Sequence, residues 1–282
     1  MIKVLTSGFY TTVQDFGRLG YQHFGIPISG VMDKKAAKTA NTLVGNQEDT
    51  AVLEITMSGP KLAFECDSVI AITGGDLSPK LNEITIKNNR LIAVKKGDIL
   101  SFGKLTSGFR CYLGVSGGFQ TEKVLGSQSM YQGISQHQTI KKDDILIIAQ
   151  NTTFENKRYA SVVVDDGYLK SSILEVIKGS EFYRLTTSQK ANLFSSSFTI
   201  SKDNNRMAYQ LEEPLQNKLN SIITSPVLPG TVQLTPAGKL IVLMRDCQTT
   251  GGYPRVLQLT APSINILAQK FTGNVIGFKL KD

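Results

Sequence analysis

Between Gln14 and Asp33 the chain holds Gln14, Asp15, Arg18, His23, Ser29 and Asp33, interleaved with Gly17, Gly20, Gly25 and Gly30. A carboxylate, a guanidinium, an imidazole and a hydroxyl at this density could surround one small polar ligand. Asp15 or His23 could move protons. Arg18 and exposed backbone N–H groups could hold developing negative charge. The Gln14 amide could donate and accept at once. The glycines let the backbone fold closely enough to present its N–H groups. A plainer reading competes at each position: Asp15 and Arg18 pair locally, Asp33 caps a helix, and His23 fills a structural niche.

Three later segments have the same mixture of glycine and polar groups. The first runs from Arg110 to Phe119 through Gly117 and Gly118, and continues to Leu125-Gly126-Ser127. A strand ending in Gly-Gly could expose backbone donors, or could simply turn tightly. The second is Asn205-Arg206-Met207, where Arg206 binds a ligand or stands exposed. The third is Asp246 to Arg255, carrying Gln248, Thr249, Thr250, Gly251, Gly252 and Tyr253. Such a polar run is costly in a core and useful at a polar site. Gly114-Val115-Ser116-Gly117-Gly118 also fits Gly-x-Ser-x-Gly, but no helical pattern follows it and only His137 lies downstream, so a turn is favoured over a nucleophile.

Other chemistries are set aside. No phosphate-binding G-x-x-x-x-G-K-[ST] loop occurs. His23 and His137 lack partners at metal-ligand spacing, and Cys66, Cys111 and Cys247 are odd in number and widely spaced, so neither a metal nor a disulfide framework is expected. Without a signal peptide or a long apolar run, the expected setting is cytoplasmic, with no membrane partner. The 31 Lys and Arg against 23 Asp and Glu give +8. That excess is spread: split at residue 150, the halves carry 16 basic against 13 acidic and 15 against 10. A spread field favours a small anionic substrate over nucleic acid, which would ask for a basic stripe.

The elements that must position these groups are mostly short strands. They include Lys3-Val4-Leu5, Ser68 to Ile72, Arg110 to Val115, Ile145 to Ala149, Tyr159 to Val164 and Lys239 to Met244. Turns are expected at Gly74-Gly75-Asp76, Asn88-Asn89, Lys96-Gly97-Asp98, Gly117-Gly118 and Asp203-Asn204-Asn205. Helices are few. One begins at Asp33 as cap, buries Ala36, Ala37, Ala40, Leu43 and Val44, and ends at Gly45. A shorter one runs from Ser263, as cap, to Gln269, and a third lies near Ser188 to Phe194. A polar stretch from Gln150 to Arg158 suggests a boundary between two domains, 1–155 and 156–282, with some interchange of segments. Thr12-Val13-Gln14 is echoed by Thr231-Val232-Gln233, which is compatible with two related barrels.

Taken together, Thr12-Val13-Gln14-Asp15-Phe16-Gly17-Arg18 with Gly20-Tyr21, Gly25-Ile26-Pro27, Ser29-Gly30-Val31-Met32-Asp33, Gly117-Gly118, Leu125-Gly126-Ser127, Asn205-Arg206-Met207 and Gln248 to Pro254 resemble one family over essentially the whole chain. It is that of the C subunits of bacterial 5-oxoprolinase, similar to the second subunit of allophanate hydrolase, within the biotin-dependent carboxyltransferase domain family; the sporulation regulator KipA is a member. Leu19 and Cys247 depart from residues common in relatives. The resemblance implies a mainly β protein with few helices, built of two cyclophilin-like β-barrel domains. It implies ATP-dependent opening of 5-oxo-L-proline to L-glutamate with a B subunit (KipI-like) and an A subunit, ATP with Mg2+ at a site the sequence does not mark, and inactivity of the chain alone. On this reading Asp15, Arg18 and His23 are catalytic, and Gln14, Ser29, Gly30, Gly117, Gly118, Asn205, Arg206, Gln248, Thr249, Thr250, Gly251 and Tyr253 bind substrate. Two alternatives remain: a regulator that sequesters a B-subunit-like kinase inhibitor, or half of a biotin-dependent carboxyltransferase acting on urea or a related amide. With no Met-Lys-Met, biotin would be carried by another chain.

Overall fold

A computed structural model of the chain describes residues 1–149 and 164–281. The expected boundary at 155/156 and most of the Tyr159 to Val164 strand lie outside the described residues. Two compact units are formed: Met1–Arg18 with Asp33–Leu169, and Leu19–Met32 with Lys170–Asp282. The protein is mainly β, as expected. Among the described residues no helix is long and apolar enough to cross a membrane.

In the first unit one sheet runs, in spatial order, Tyr10–Gln14, Val52–Thr56, Ser107–Val115, Ser68–Asp76 and Leu91–Val94. A second runs Ile145–Leu146, Ile2–Thr6, Lys61–Phe64, Ile99–Ser101, Lys80–Leu81 and Ile84–Thr85. Both contribute to one core, with Val13, Leu53, Ile70 and Leu113 from the first and Ile2, Val4, Leu62 and Leu100 from the second. Gly74-Gly75-Asp76 is not the expected turn. It lies inside Ser68–Asp76, where the register against Ser107–Val115 shifts. Gly74 has φ 79°, and a Cβ there would stand 2.7 Å from the Arg110 carbonyl oxygen, so glycine makes the bulge possible.

Helix α1 (Lys34–Leu43) packs Ala36, Ala37 and Ala40 inward. Asp33 caps it as expected: Oδ1 accepts from the Ala36 N–H at 3.0 Å, while Oδ2 accepts from the Tyr168 hydroxyl at 2.6 Å. Val44 occupies the C-cap, and Gly45 follows at φ 75°.

The second unit is a closed barrel. Its strands run Ile173–Lys178, Arg255–Leu259, Thr231–Leu234, Leu240–Leu243, Ala208–Leu211, Phe198–Asn204 and Val275–Leu280 around the wall. Closure makes Ile173–Lys178 parallel to Val275–Leu280 and removes the free edge. Ile173–Lys178 shows the expected period of two, with Leu174 and Val176 in the core and their neighbours outward. Thr231–Leu234 differs: all four residues are buried, Val232 and Leu234 in the core and Thr231 and Gln233 on the other face. Met32, from the early excursion, joins this core.

Helix α2 (Thr187–Ser195) starts with a reciprocal capping box between Thr186 and Gln189. Helix α3 (Ala261–Ala268) starts one turn earlier than expected, because Pro262 is suited to the first turn and Thr260 takes the cap position. Ser263 therefore sits inside the helix and accepts a hydrogen bond from the Thr260 hydroxyl at 3.1 Å.

A bidentate pair ties the barrel wall to the turn before Phe182. Arg255 Nε and Nη2 donate to Glu181 Oε2 and Oε1 at 2.9 and 2.8 Å. Hydrogen bonding from Arg255 holds the Glu181 carboxyl below its ordinary value. The folded pKa lies below the unfolded one. This contribution is therefore fully present above the unfolded value of about 4.3 and is lost as pH falls through the folded value. The urea midpoint of the wild type should drop further between about pH 5 and about pH 3 than that of Glu181→Gln; equal drops would refute the linkage.

Candidate functional site

Each unit holds one buried polar cluster drawn from the expected site residues. In the first, strand Tyr10–Gln14 delivers Asp15 to a segment more than a hundred positions away in sequence. Ser127 Oγ and Ser129 Oγ each donate to Asp15 Oδ1 at 2.6 Å, the Gly17 N–H donates to it at 2.8 Å, and the Gln128 N–H donates to Oδ2 at 2.6 Å. Arg18 is buried, and its Nη2 donates to the Ser129 carbonyl at 2.5 Å. Asp15 and Arg18 therefore both grip the 127–129 segment. Four donors, two hydroxyls and two backbone N–H groups, thus converge on the one carboxylate. Asp15 clamps the 127–129 segment.

Gln14 is also committed within the unit. Its Nε2 donates to Thr12 Oγ1 at 3.1 Å and to the Met130 carbonyl at 3.0 Å. The Gly117 N–H goes to Asn46 Oδ1 and the Gly118 N–H to the Val115 carbonyl, so neither presents a backbone donor to a ligand as expected. Both glycines serve packing: a Cβ at 117 would meet Ala149 at 2.7 Å, and one at 118 would meet Thr50 at 2.3 Å. Ser116 is buried, and among the described residues no helix starts directly after it, which removes the nucleophile reading.

In the second unit, Ser29-Gly30 forms a turn with both residues at positive φ, 57° and 87°. For Ser29 this is a strained conformation that its surroundings must enforce. Two arginines enforce it. The Arg245 carbonyl accepts from the Ser29 N–H at 3.0 Å, and Arg206 Nη2 donates to the Gly30 carbonyl at 2.6 Å. Arg206 is itself fixed by Asp246, Nε to Oδ2 at 2.8 Å and Nη2 to Oδ1 at 3.1 Å, with side chains only 7% and 10% exposed. The Ser29 hydroxyl is completely buried and has no hydrogen-bond partner among the described residues. An unmet buried hydroxyl costs about 1–3 kcal/mol, and a ligand oxygen or nitrogen would relieve it.

The remaining expected residues divide by role. Asn205 Oδ1 accepts from the Met207 and Ala208 N–H groups and so locks the turn. His23 is exposed on a 3-10 turn, its ring 3.9 Å from that of Phe24. Thr250–Gly251 pairs with Ser225–Pro226 as a small separate sheet. The Thr249 carbonyl accepts from the Val227 N–H. Gln248 and Thr249 are partly exposed, and Thr250 and Tyr253 are exposed. Burial and the nearby Asp246 carboxylate push the Cys247 thiol up to about 12, which keeps it protonated and unreactive. No group of three His, Cys, Asp or Glu able to hold a metal occurs among the described residues.

Sequence reasoning missed Gln128, Ser129, Asp246 and Arg245. Asp246 was in view as the start of the polar run, but nothing local marks it as the partner of Arg206.

The chain belongs to the carboxyltransferase domain family, subdomain A and B, which matches residues 24–280. The Ser29, Gly30, Arg206 and Asp246 cluster lies inside that span; Asp15 and Arg18 lie ahead of it, and the 127–129 segment they grip lies inside it. The C subunit of 5-oxoprolinase from Escherichia coli (strain K12) is 32% identical over 99% of this chain and 90% of its own length. The crystal structure of TTHA0988 superposes with a TM-score of 0.87 at 26% identity, covering 99% of this chain and 55% of that one. The K. lactis urea amidolyase gives a TM-score of 0.85 at 28% identity, covering 98% of this chain and 18% of that one.

Proposed function

We propose that this chain is the C-type subunit of a multi-subunit 5-oxoprolinase, inactive alone and working in the cytoplasm with a B-type (KipI-like) and an A-type subunit. One observation carries this reading: the relationship to the C subunit of a 5-oxoprolinase runs nearly end to end in both chains. The match to K. lactis urea amidolyase occupies a fraction of a far longer chain. The reaction opens the lactam of 5-oxo-L-proline with water to L-glutamate, coupled to ATP hydrolysis.

A lactam has two hydrogen-bonding edges, a carbonyl oxygen and an N–H, beside a carboxylate. The buried Ser29 hydroxyl, both donor and acceptor, suits either edge. Arg206 does not bind the substrate directly on this reading. It is spent on Asp246 and Gly30, and holds the Ser29 turn in its strained form before substrate arrives. His23, exposed, is the candidate for proton exchange.

ATP would supply activation of the lactam carbonyl oxygen. In the first unit, Phe16, Lys34, Lys35, Lys38, Thr39, Thr42 and Glu48 line an open groove of about 480 Å³, within the usual range for small-molecule sites. Lys34 and Lys35 stand in the first turn of α1, where the helix dipole disfavours positive charge. Lys35 pairs with Asp165 at 3.5 Å and Lys38 with Glu48 at 2.6 Å, exposed contacts that a polyphosphate would exchange for its own.

The reconstituted complex tests the reading. Mixed with its B and A partners and ATP, the chain should release glutamate from 5-oxo-L-proline, and Lys34→Ala with Lys38→Ala should weaken ATP binding several-fold. No glutamate release, with tight binding of the B-type partner, would replace the enzyme by a regulator. The likeness to K. lactis urea amidolyase favours one other reading, a carboxyltransferase half fed by biotin on another chain. Carboxylation of urea by the complex, in place of glutamate release, would establish it.

A further inference from the structure

We propose that Gln233 binds ligand, its side-chain N–H donating to a carbonyl or carboxylate oxygen of a small amide held against the Thr250–Gly251 strand. The inference rests on the reading above for the substrate class, and on the second unit alone for its geometry. Gln233 is 2% exposed, and its Nε2 is buried with no hydrogen-bond partner among the described residues.

The echo of this strand in the first unit shows how unusual that is. Gln14 also ends a Thr-Val-Gln triplet, and its Nε2 reaches Thr12 and the Met130 carbonyl. In the second triplet the matching threonine is already engaged. Thr231 Oγ1 donates to Gln258 Oε1 at 2.8 Å and accepts from the Leu228 N–H at 3.2 Å. The same local sequence thus gives a satisfied amide in one unit and a buried donor with no partner among the described residues in the other.

Gly251 keeps that donor in place. A Cβ at 251 would stand 2.4 Å from Gln233 Nε2 and 3.3 Å from Val227. Gly251 is not among the glycines at positive φ, so space and not backbone conformation requires glycine there. Val232 and Leu234 turn into the barrel core, so the amide lies on the outer face of the wall. Gly251 itself and its neighbours in sequence Gln248, Thr249 and Thr250 are at least partly exposed, so the strand that covers the amide borders solvent.

Two variants test this in the full chain assembled with its partner subunits. The probes are 5-oxo-L-proline and urea, titrated calorimetrically, with thermal unfolding of each chain in parallel. Gln233→Leu removes an unmatched donor, so its melting temperature should equal or exceed that of the wild type. Affinity for whichever probe the wild type binds should fall about tenfold. Gly251→Ala displaces chiefly the flexible end of Gln233, with a slight shift at Val227, and should lose affinity similarly. Unchanged affinity in both variants overturns the proposal, as does binding of neither probe to the wild type, or a Gln233→Leu chain that melts several degrees lower with its affinity intact. Glutamate release that Gln233→Leu leaves untouched sinks this inference and spares the oxoprolinase reading. Binding of urea alone, dependent on Gln233, does the reverse.

Discussion

Asp246→Ala should destabilise the second unit by about 3–5 kcal/mol, the range found when one partner of a buried ion pair is removed. The Arg206 guanidinium would keep the Gly30 carbonyl but lose both carboxylate contacts, and its charge would remain out of water. The Asp246 N–H also ties back to the Arg206 carbonyl, which holds the two turns together. Asp246→Asn, which keeps one acceptor, should lose less. Chemical unfolding followed by two probes would measure both and show whether the units melt separately. A loss under about 1 kcal/mol for Asp246→Ala would mean that the pair is solvated in a way its 7% and 10% exposure does not suggest. Replacing both partners together, Arg206→Met with Asp246→Leu, should recover much of the stability, since apolar groups of similar volume often match a buried pair. That double variant should still lose function, because the Gly30 carbonyl would lose its Arg206 donor and the Ser29 turn would keep only its tether to the Arg245 carbonyl. Stability recovered without function would separate preorganisation from folding.

What the sequence disclosed, and what it hid, follows from the range of the interactions. Asp33 was legible as a cap because the cap and its N–H lie three residues apart. The apolar strands were legible because burial on one face leaves a period of two, as in Leu240 and Val242. Gly74-Gly75 looked like a turn, because a bulge and a turn ask for the same backbone freedom. Only the partner strand, with its Arg110 carbonyl, distinguishes them. Asp15 stood out in the sequence as a carboxylate in a glycine-rich loop, but its hydrogen bonding depends on Ser127 and Ser129, which no local pattern connects to it. Gln233 was noticed only as an echo of Gln14. Nothing in Thr-Val-Gln tells which copy has its threonine already engaged. Local rules carry the elements; the site depends on contacts between segments far apart in the chain.

Asp15→Ala supplies the second large effect, and it decides between a clamp and a base. The carboxylate gathers two hydroxyls and two backbone N–H groups in a half-buried setting. Hydrogen bonds to charged groups contribute about 1.5–3 kcal/mol each, and they are not additive within one cluster. A loss of about 3 kcal/mol is therefore expected, with the 127–129 segment released. Asp15→Asn should also destabilise, because its amide would turn donor N–H groups toward a ring of donors. A general base predicts another pattern: turnover down about 10²–10⁴-fold with the melting temperature unchanged and an altered pH–rate profile. For a clamp, stability and turnover fall together. The pH profile keeps its shape, and activity returns in part when the assay is run well below the lowered melting temperature. Arg18→Ala should give the same pattern, since Arg18 holds the same segment through the Ser129 carbonyl. If either variant melts like the wild type while the reconstituted complex loses turnover, the clamp is wrong, and Asp15 or Arg18 returns to the chemistry.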